Sequence, residues 1–486
     1  MAAAIAALAV ALLAPPLPLG PAMLLAVGLV IVAGVVRHPA LAVVALLVAV
    51  GARSHDAVRA LSIPPPRLVE GVAQVASDPE QRRFDVQMLL RLDGRRYVAS
   101  VPLDEAGPVR DLLVGEHVVV RGRVADLRDA PHGWVLSRHL AGRLQVQRVE
   151  RGPPSPPWYT VANALRRNLV AGAGSFDEDR RPLYLGMVIG DDRQQSELTE
   201  FRFRASGLSH LLAVSGQNVA FVVAVAAPLL IRLQRRARTM ATLSLLVLFA
   251  LVTRADPSVL RASVMAGVAV LALANGRVAP SLRVLAVTVA LLMLADPLMV
   301  HSLGFQLSVA ATAGLVLLTR PIERTLPGPD WLTLPIAVTL AAQLATAPLM
   351  LALNGDLPAG ATVANLLAGP AAGAIMVTGV TAGSLAGLVD ERLASLVLLP
   401  TRWAVAWVDG VATVVSRSPL GPLRPPQLAA LAAATAILWA LRRSRRRERH
   451  LHPAAAVPAA MSAAMGLAAV AFCIAAAVAM WPTAPR

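Results

Sequence analysis

The sequence predicts a polytopic α-helical membrane protein of about 11–13 spans with an inserted small extracytoplasmic β-barrel domain. Composition is the first observation: of 486 residues, 56% are hydrophobic and 15% are charged, whereas an average soluble domain carries about 25% charged residues. The second is that apolar runs of membrane-spanning length recur through most of the chain. The third is a change to charged, strand-like sequence between residues 59 and 151.

These changes in composition divide the chain into segments. They are N-terminal membrane helices at 1–58, a β domain at 59–151, a Pro linker with an amphipathic interfacial helix at 152–181, a membrane core at 182–445, and a final membrane helix with a short tail at 446–486. Because further apolar runs follow the first one, we interpret that run as an anchor and not as a cleaved signal.

Alternating apolar and polar residues predict strands in the β domain. The runs 84–92 and 95–101 flank Asp93 and Gly94, a pair that is a strong hairpin signal. Further strand-like runs lie at 70–77, 116–124, 133–138 and 143–149. About five short strands suit a small closed barrel, of which the OB-fold is the usual five-stranded form. A small Greek-key or SH3-like barrel is compatible with the same pattern.

The membrane core is predicted to contain spans near 208–231, 240–254, 257–275, 281–299, 302–320, 332–353, 361–389, 393–415 and 426–441, with a last span at 456–480. Arginine-rich segments lie between spans, at 232–238, 320–324 and 442–449. The positive-inside rule places such segments in the cytoplasm, which puts the β domain and residues 481–486 outside it.

The formal net charge is +16, and all 45 basic residues are arginines. The positive-inside rule explains such an excess in any polytopic protein, and a polyanionic ligand is the alternative explanation. A single cysteine, Cys473, leaves no partner for a disulfide or a thiolate metal site within the chain.

Polar clusters interrupt the apolar runs, and polar groups at bilayer depth are functional-site hypotheses by default. The first cluster, at 206–218, contains His210, Ser215, Gln217 and Asn218. Its glycines, Gly207 and Gly216, predict a broken or closely packed helix. Side chains that only join neighbouring helices are the alternative for this cluster.

The second cluster surrounds Pro257, which fits the first turn of a helix with Asp256 near its N-cap. Arg261 then lies one turn inside the span, where it needs a carboxylate, backbone carbonyls or water, and Asp256 is a candidate partner. Alternatively, Arg254 and Arg261 extend to the membrane interface. The third cluster contains Gln306 and Ser308, and the fourth runs from Gln343 past Pro348, which is expected to kink its helix, to Asn365.

This ordered set resembles the motifs of the ComEC-type competence proteins, the inner-membrane channels that pass transforming DNA into bacteria. The matching segments are 190–192 followed by 207–216, then 256–262, then 296–308, then 347–348 with 364–367. The β domain occupies the place of an OB-like domain in that family. Each motif is moderately specific, and their common order is strongly so.

The resemblance implies a channel for single-stranded DNA in the bacterial inner membrane. It implies a path lined by His210, Ser215, Gln217, Asn218, Arg254, Asp256, Ser258, Arg261, Gln306, Ser308 and Asn365. The strand would first meet the β domain at Arg82, Arg83, Arg91, Arg95, Arg96 and Tyr97, because OB-folds bind single strands with basic grooves and aromatic side chains. A solvated, mixed-charge surface is the alternative for these residues.

Two departures from the family pattern limit the resemblance. Gln217 and Asn218 stand where many relatives have Leu-His, so no role of that histidine is carried over. The nine histidines include no His-x-His-x-Asp-His run, the mark of the metallo-β-lactamase-like domain of many relatives. We therefore expect no enzymatic activity, no catalytic residue, no cofactor and no metal in this chain.

Several partners follow from the same reasoning. A chain without lysine has no Walker-type phosphate loop, so energy must come from elsewhere. Expected partners are single-stranded DNA, membrane lipid, a DNA receptor, a separate nuclease, and a cytoplasmic ATPase or single-strand-binding protein, with homo-oligomerisation left open.

Two rival functions remain at this level. One is a small-solute transporter with an accessory β domain. The other is an intramembrane hydrolase that uses Ser215 or Ser209 with His210, although Ser215 and His210 would lie roughly 140° apart on an ideal helix.

Overall fold

The structure is a computed structural model that describes residues 39–62, 64–127, 130–212, 214–418, 421–424 and 427. The predicted helices before residue 39 and the predicted span at 456–480 lie outside the described residues, as does almost all of the predicted span at 426–441. Helix α1 (Pro39–Ser62) is the first described element and leads into the β domain.

The described residues of the β domain form six strands and one short helix. The strands are β1 (Leu68–Val75), β2 (Glu80–Gln81), β3 (Asp85–Leu92), β4 (Arg95–Pro102), β5 (His117–Ala125) and β6 (Leu140–Arg151), with helix α2 (His132–Arg138) between the last two. Neighbouring strands follow the order β1-β5-β6-β4-β3, and β3 pairs again with β1, so five strands close into a barrel. Only the β4–β6 pair is parallel. The prediction of a small closed barrel is confirmed.

Alternation in the sequence explains the barrel core. In β3 the residues Val86, Met88, Leu90 and Leu92 are buried, while Arg91 between them is exposed. The turn to β4 has positive φ at Asp93 (49°) and Gly94 (77°), as the predicted hairpin requires.

One predicted strand is wrong. The run 133–138 forms α2, which follows Pro131 and ends where His139 takes the left-handed conformation with φ 56°. Proline fixes φ at a value suited to a helix start, and this local geometry outweighs the weak alternation of six residues.

The remaining helices form the membrane core and the elements that join it to the barrel. They are α3 (Pro157–Gly172), α4 (Arg181–Ile189), α5 (Glu197–Ser206), α6 (Gly216–Leu230), α7 (Arg235–Val252), α8 (Pro257–Ala274), α9 (Ser281–Ala295), α10 (Leu303–Glu323), α11 (Asp330–Asn354), α12 (Ala361–Ala386), α13 (Glu391–Val397) and α14 (Leu399–Ser416). Short 3₁₀ turns lie at Ala173–Ser175, Ser209–Leu211 and Pro297–His301, and two-residue strands β7 (Leu357–Pro358) and β8 (Pro422–Leu423) pair.

Four described helices are long and apolar enough to cross a bilayer, namely α8, α10, α11 and α12. Helices α6 and α9 are apolar but shorter. The prediction of a helical membrane protein with a barrel domain is confirmed, while the number of spans stays a prediction.

Local signals fix several helix starts. Asp256 is the N-cap of α8, where its carboxylate accepts the N–H of Ser258 at 2.8 Å, and Pro257 is the first helical residue, both as predicted. The predicted span at 208–231 is interrupted: a 3₁₀ turn precedes α6, which begins only at Gly216. The break expected from the two glycines is therefore present.

Gly115 fits the barrel against α3 and provides a test of the fold. Its φ is +89°, and an added Cβ would overlap the ring of Tyr159. Gly94 also has positive φ, +77°, but faces open space. We expect Gly115→Ala to lower the free energy of unfolding by about 3 kcal/mol and Gly94→Ala by only about 1 kcal/mol. Thermal unfolding of both variants measures the difference, and equal losses would contradict this packing.

Candidate functional site

A buried ionic cluster joins the barrel to the membrane core. We define it as Asp78 from the loop after β1, Arg166 from α3, Asp191 and Arg193 from the loop after α4, and Arg254 from the loop after α7. The side chains of Asp78 and Asp191 are each 7% exposed, and that of Arg166 is 2% exposed. Three arginines against two aspartates leave a formal charge of +1 in this cluster.

Arg166 lies at the centre of the ionic cluster. Its Nη2 is 3.1 Å from Oδ2 of Asp78 and 3.2 Å from Oδ2 of Asp191. Its Nη1 donates to the carbonyls of Ile189 at 2.8 Å and Val252 at 3.1 Å, the last residues of α4 and α7. A cation is favourable at a helix C-terminus, so one side chain ties two helix ends to two carboxylates. The interfacial position of the helix at 152–181 stays a prediction.

Arg254 belongs to the ionic cluster. Its Nε donates to Oδ2 of Asp78 at 2.9 Å, and its Nη1 donates to Oδ1 of Asn163 at 2.9 Å. Arg254 and Ala255 both have positive φ, 63° and 53°, which costs roughly 1–2 kcal/mol per residue. The ion pair with Asp78 offsets this strain. The guanidinium of Arg254 thus bonds the barrel to the membrane core, while its predicted place on the DNA path stays a prediction.

The segment after α4 also joins the membrane core to the barrel. Arg193 donates from Nε and Nη2 to Asp191 at 2.7 and 2.6 Å, and from Nη1 to the carbonyl of Pro79 in the barrel at 3.3 Å. Burial alone would raise the pKa of Asp191, but the hydrogen bonds and charges of Arg193 and Arg166 outweigh it and hold that pKa below its ordinary value. Because the pKa of Asp191 is lowered in the folded protein, its carboxylate is ionised at neutral pH, and the stability that this shift adds is lost only as pH falls below the ordinary aspartate pKa of about 4.

A second contact joins the barrel to the membrane core at α9. His139, at the end of α2, lies with Nε2 3.0 Å from Oδ1 of Asp296, which follows α9. Arg96 lies beside the same carboxylate and opposite Arg91 across the β3–β4 hairpin. Burial and then Arg91 lower the pKa of Arg96, while Asp296 raises it. The hairpin therefore presents two adjacent cations next to the ends of the membrane helices.

Three of the predicted polar clusters meet around Arg261. Its side chain is buried, 6% exposed, and its Nε donates to Oγ of Ser308 in α10 at 2.7 Å. Its Nη1 lies 3.0 Å from Sδ of Met265. Its Nη2 lies against Gly216, the first residue of α6. Among the described residues, no carboxylate lies within ion-pairing distance of this guanidinium. The expected pairing with Asp256 is wrong, because Asp256 caps α8 instead.

The start of α6 is fixed by hydrogen bonds around it. Ser215 donates from Oγ to Oδ1 of Asn218 at 3.2 Å, and Asn218 donates from Nδ2 to the carbonyl of Met187 at 3.0 Å. Asn218 is thus buried and structural, while the neighbouring Gln217 and His210 are exposed. The described geometry pairs Ser215 with Asn218 and gives no support to a Ser215–His210 nucleophile pair.

Two further predicted path residues, Gln306 and Asn365, form hydrogen bonds away from Arg261. Gln306 donates to the carbonyl of Val300 at 2.7 Å, which fixes the turn before α10. Asn365 donates to the carbonyl of Ala361 in its own helix at 2.8 Å. Both side chains are partly exposed, and none of the described hydrogen bonds joins Asn365 to Arg261.

The predicted arginines of the barrel fall into two groups. Arg82 pairs with Glu80 at 3.0 Å, and Arg83 lies over the ring of Phe84, which is 77% exposed. The second group, around the hairpin turn, contains Arg91, Arg95 and Arg96. Tyr97 is 2% exposed and packs in the barrel core, so the prediction that it contacts DNA is wrong. Phe84 is the exposed aromatic that was not predicted from the sequence, and its position beside two arginines was the signal.

More than half of the chain matches one known protein family. Residues 187–447 match the family described as competence protein. The chain belongs to the competence protein family. The match begins at the end of α4 and includes the residues around Arg261, so Arg193 and Arg254 lie inside it while Asp78 and Arg166 lie outside.

A curated relative agrees with this membership. ComE operon protein 3 of Bacillus subtilis (strain 168) is 26% identical over 273 residues, which cover 53% of this chain and 35% of that protein. The chain thus matches about a third of the length of the relative. No solved structure matches the chain significantly.

Proposed function

We propose that this competence-family chain conducts single-stranded DNA into the cytoplasm across a bacterial inner membrane during natural transformation, and that its barrel receives the strand. The observation that carries the proposal is the position of the barrel. Its first loop is bonded through Asp78 to Arg254, which lies just before the motif at 256–262, and to Arg166, which bonds the last carbonyls of α4 and α7. A strand bound on the barrel would therefore already be next to the membrane core.

The strand order of the barrel supports an OB-like assignment. Counting only the five barrel strands in chain order, neighbours follow the series 1-2-3-5-4-1, with the third and fifth parallel. OB-folds bind oligonucleotides on their second and third strands and on the loops next to them. Here those strands are β3 and β4, whose turn carries Arg91 and Arg96.

The distribution of arginine supports the orientation. Helix α7 begins in the arginine-rich turn at 232–238 and ends at Val252, beside the ionic cluster. Helix α10 begins near Asp296 and ends beside Arg320 and Arg324. Both arginine-rich turns thus lie at the ends away from the barrel, and the positive-inside rule then puts the barrel outside the cytoplasm.

The path proposed through the membrane core passes His210, Gln217, Arg261 and Ser308. Its support is that Arg261 bonds Ser308 and lies against Gly216, the neighbour of Gln217. Neutral hydrogen-bonding side chains around one cation permit a polyanion to slide without being held tightly. The chain acts as a conduit, and the DNA receptor, the nuclease and the energy source are separate partners.

Binding of labelled oligothymidylate to the full chain in nanodiscs tests the receiving surface. We expect Arg91→Gln combined with Arg96→Gln to weaken binding and to reduce the slope of log affinity against log salt by roughly one, since each phosphate contact contributes about 0.7 on single strands. The matched control is Arg121→Gln with Arg148→Gln, another cross-strand arginine pair, on β5 and β6. Equal effects of the two double variants would contradict binding at the β3–β4 hairpin.

A further inference from the structure

Arg261 is a buried cation whose described hydrogen-bond partners are all neutral. Ser308 and Met265 accept from Nε and Nη1, and Nη2 has no hydrogen-bond acceptor among the described residues. A buried charge without an opposite charge is costly, so such groups ordinarily pair, coordinate an ion or face a charged ligand. The two arginines of the ionic cluster that are most buried, Arg166 and Arg254, do have carboxylates.

The first turn of α6 adds a second positive element at the same point. Ser215 is its N-cap, but the side chain of Ser215 is used by Asn218 and caps no backbone group. Among the described residues none accepts from the N–H of Gly216 or Gln217. A helix N-terminus carries about half a positive charge, so an arginine placed there is repelled unless an anion lies between them.

Gly216 makes this approach feasible. A Cβ at that position would lie 2.7 Å from Nη2 of Arg261 and 3.1 Å from Cβ of Ala262. Any other residue would displace the guanidinium from the helix end. The glycine thus lets the guanidinium of Arg261 approach the positive N-terminus of α6. Without a bound anion, this arrangement lowers the stability of the protein.

We propose that Nη2 of Arg261 and the free N–H groups of Gly216 and Gln217 form a binding site for a single phosphodiester. This proposal rests on the proposed function, because the ligand it assigns is the phosphodiester backbone of the transported DNA strand. A phosphodiester is a monoanion with two non-bridging oxygens. One oxygen can accept from the guanidinium and the other from the N–H groups at the helix end. Ser308 holds Nε and so orients the guanidinium.

Protection of a cysteine at the site provides the test. The full chain carries Cys473→Ala and Gln217→Cys in nanodiscs, and an uncharged methanethiosulfonate reagent modifies the introduced thiol. The probe is dimethyl phosphate, the smallest phosphodiester monoanion, with sodium chloride at equal ionic strength as the reference. We expect roughly threefold slower modification at about 100 mM probe, because one such contact gives a Kd on the order of 50 mM.

Variants locate the effect at Arg261. Arg261→Gln should abolish the protection, and Gly216→Ala should weaken it at unchanged charge, because the added Cβ displaces Nη2. Arg204→Gln, an exposed arginine on α5, is the control and should leave protection intact. For each variant the modification rate is compared with and without dimethyl phosphate, so any direct effect of the substitution on thiol reactivity cancels. Thermal unfolding checks that each variant is folded.

The outcomes separate this site from the proposed function. Equal protection in Arg261→Gln, or none in the parent chain, overturns the phosphodiester site even if deletion of the gene abolishes DNA uptake. Protection that depends on Arg261, together with unchanged DNA uptake on deletion, supports the site and overturns the DNA channel.

Discussion

Replacing Arg166 with Gln should lower the free energy of unfolding by about 3–5 kcal/mol, the usual cost of breaking a buried ion pair by removing one partner. The substitution leaves Asp78 with Arg254 and Asp191 with Arg193, but it removes the cation that lies between the two buried carboxylates. It also removes the donor to the carbonyls that end α4 and α7. Because these contacts join the barrel to the membrane core, the barrel should become accessible to protease before the membrane helices unfold.

The adjacent residue gives a matched control. Arg167 lies one position further along α3, is 55% exposed, and pairs with Glu116 at the surface. Exposed pairs contribute about 0–1 kcal/mol, so Arg167→Gln should change stability by no more than that. Thermal unfolding and limited proteolysis of the full chain in detergent measure both variants. Similar effects of the two substitutions would contradict a central role of Arg166.

Arg261→Gln should reduce uptake of labelled DNA into a DNase-resistant form by about thirtyfold or more, the equivalent of roughly 2 kcal/mol for one charge-assisted contact. Unlike Arg166, Arg261 has no described carboxylate that its removal would orphan. The free energy of unfolding should therefore stay the same or rise, because replacing a functional residue that is costly to bury often stabilises a protein. Uptake per folded molecule, together with thermal unfolding, checks both halves of this expectation.

The pair of measurements separates function from structure. Arg204→Gln should leave uptake unchanged, and Arg261→Lys should retain part of it, because lysine keeps the charge without the planar guanidinium. Loss of stability in Arg261→Gln with unchanged uptake per folded molecule would show that Arg261 only joins helices.

Local patterns predicted the elements whose cause is local. The turn at Asp93 and Gly94 and the cap at Asp256 were found because a few neighbouring residues decide the backbone there. The same reasoning failed at 133–138, where six residues alternate weakly and Pro131 decides. It failed again for Tyr97, since an aromatic residue beside arginines has the same pattern whether its ring points inward or outward.

Contacts between distant segments were not predictable. Asp78 and Arg254 lie far apart in the chain, and nothing around either residue indicates that they pair. Asp256 was the expected partner of Arg261 because it is close in sequence, whereas helix geometry brings Ser308 instead. The sequence did indicate that Arg261 is unusual, because an arginine one turn inside an apolar helix needs some partner.

Uptake of labelled DNA in cells that lack the gene tests the central claim most directly. The account predicts that deletion abolishes conversion of bound DNA to a DNase-resistant form, that the intact gene restores it, and that DNA still binds at the cell surface in the deletion strain. Undiminished DNase-resistant uptake after deletion, in cells competent for transformation, would contradict a DNA channel and leave transport of a smaller solute as the function to test.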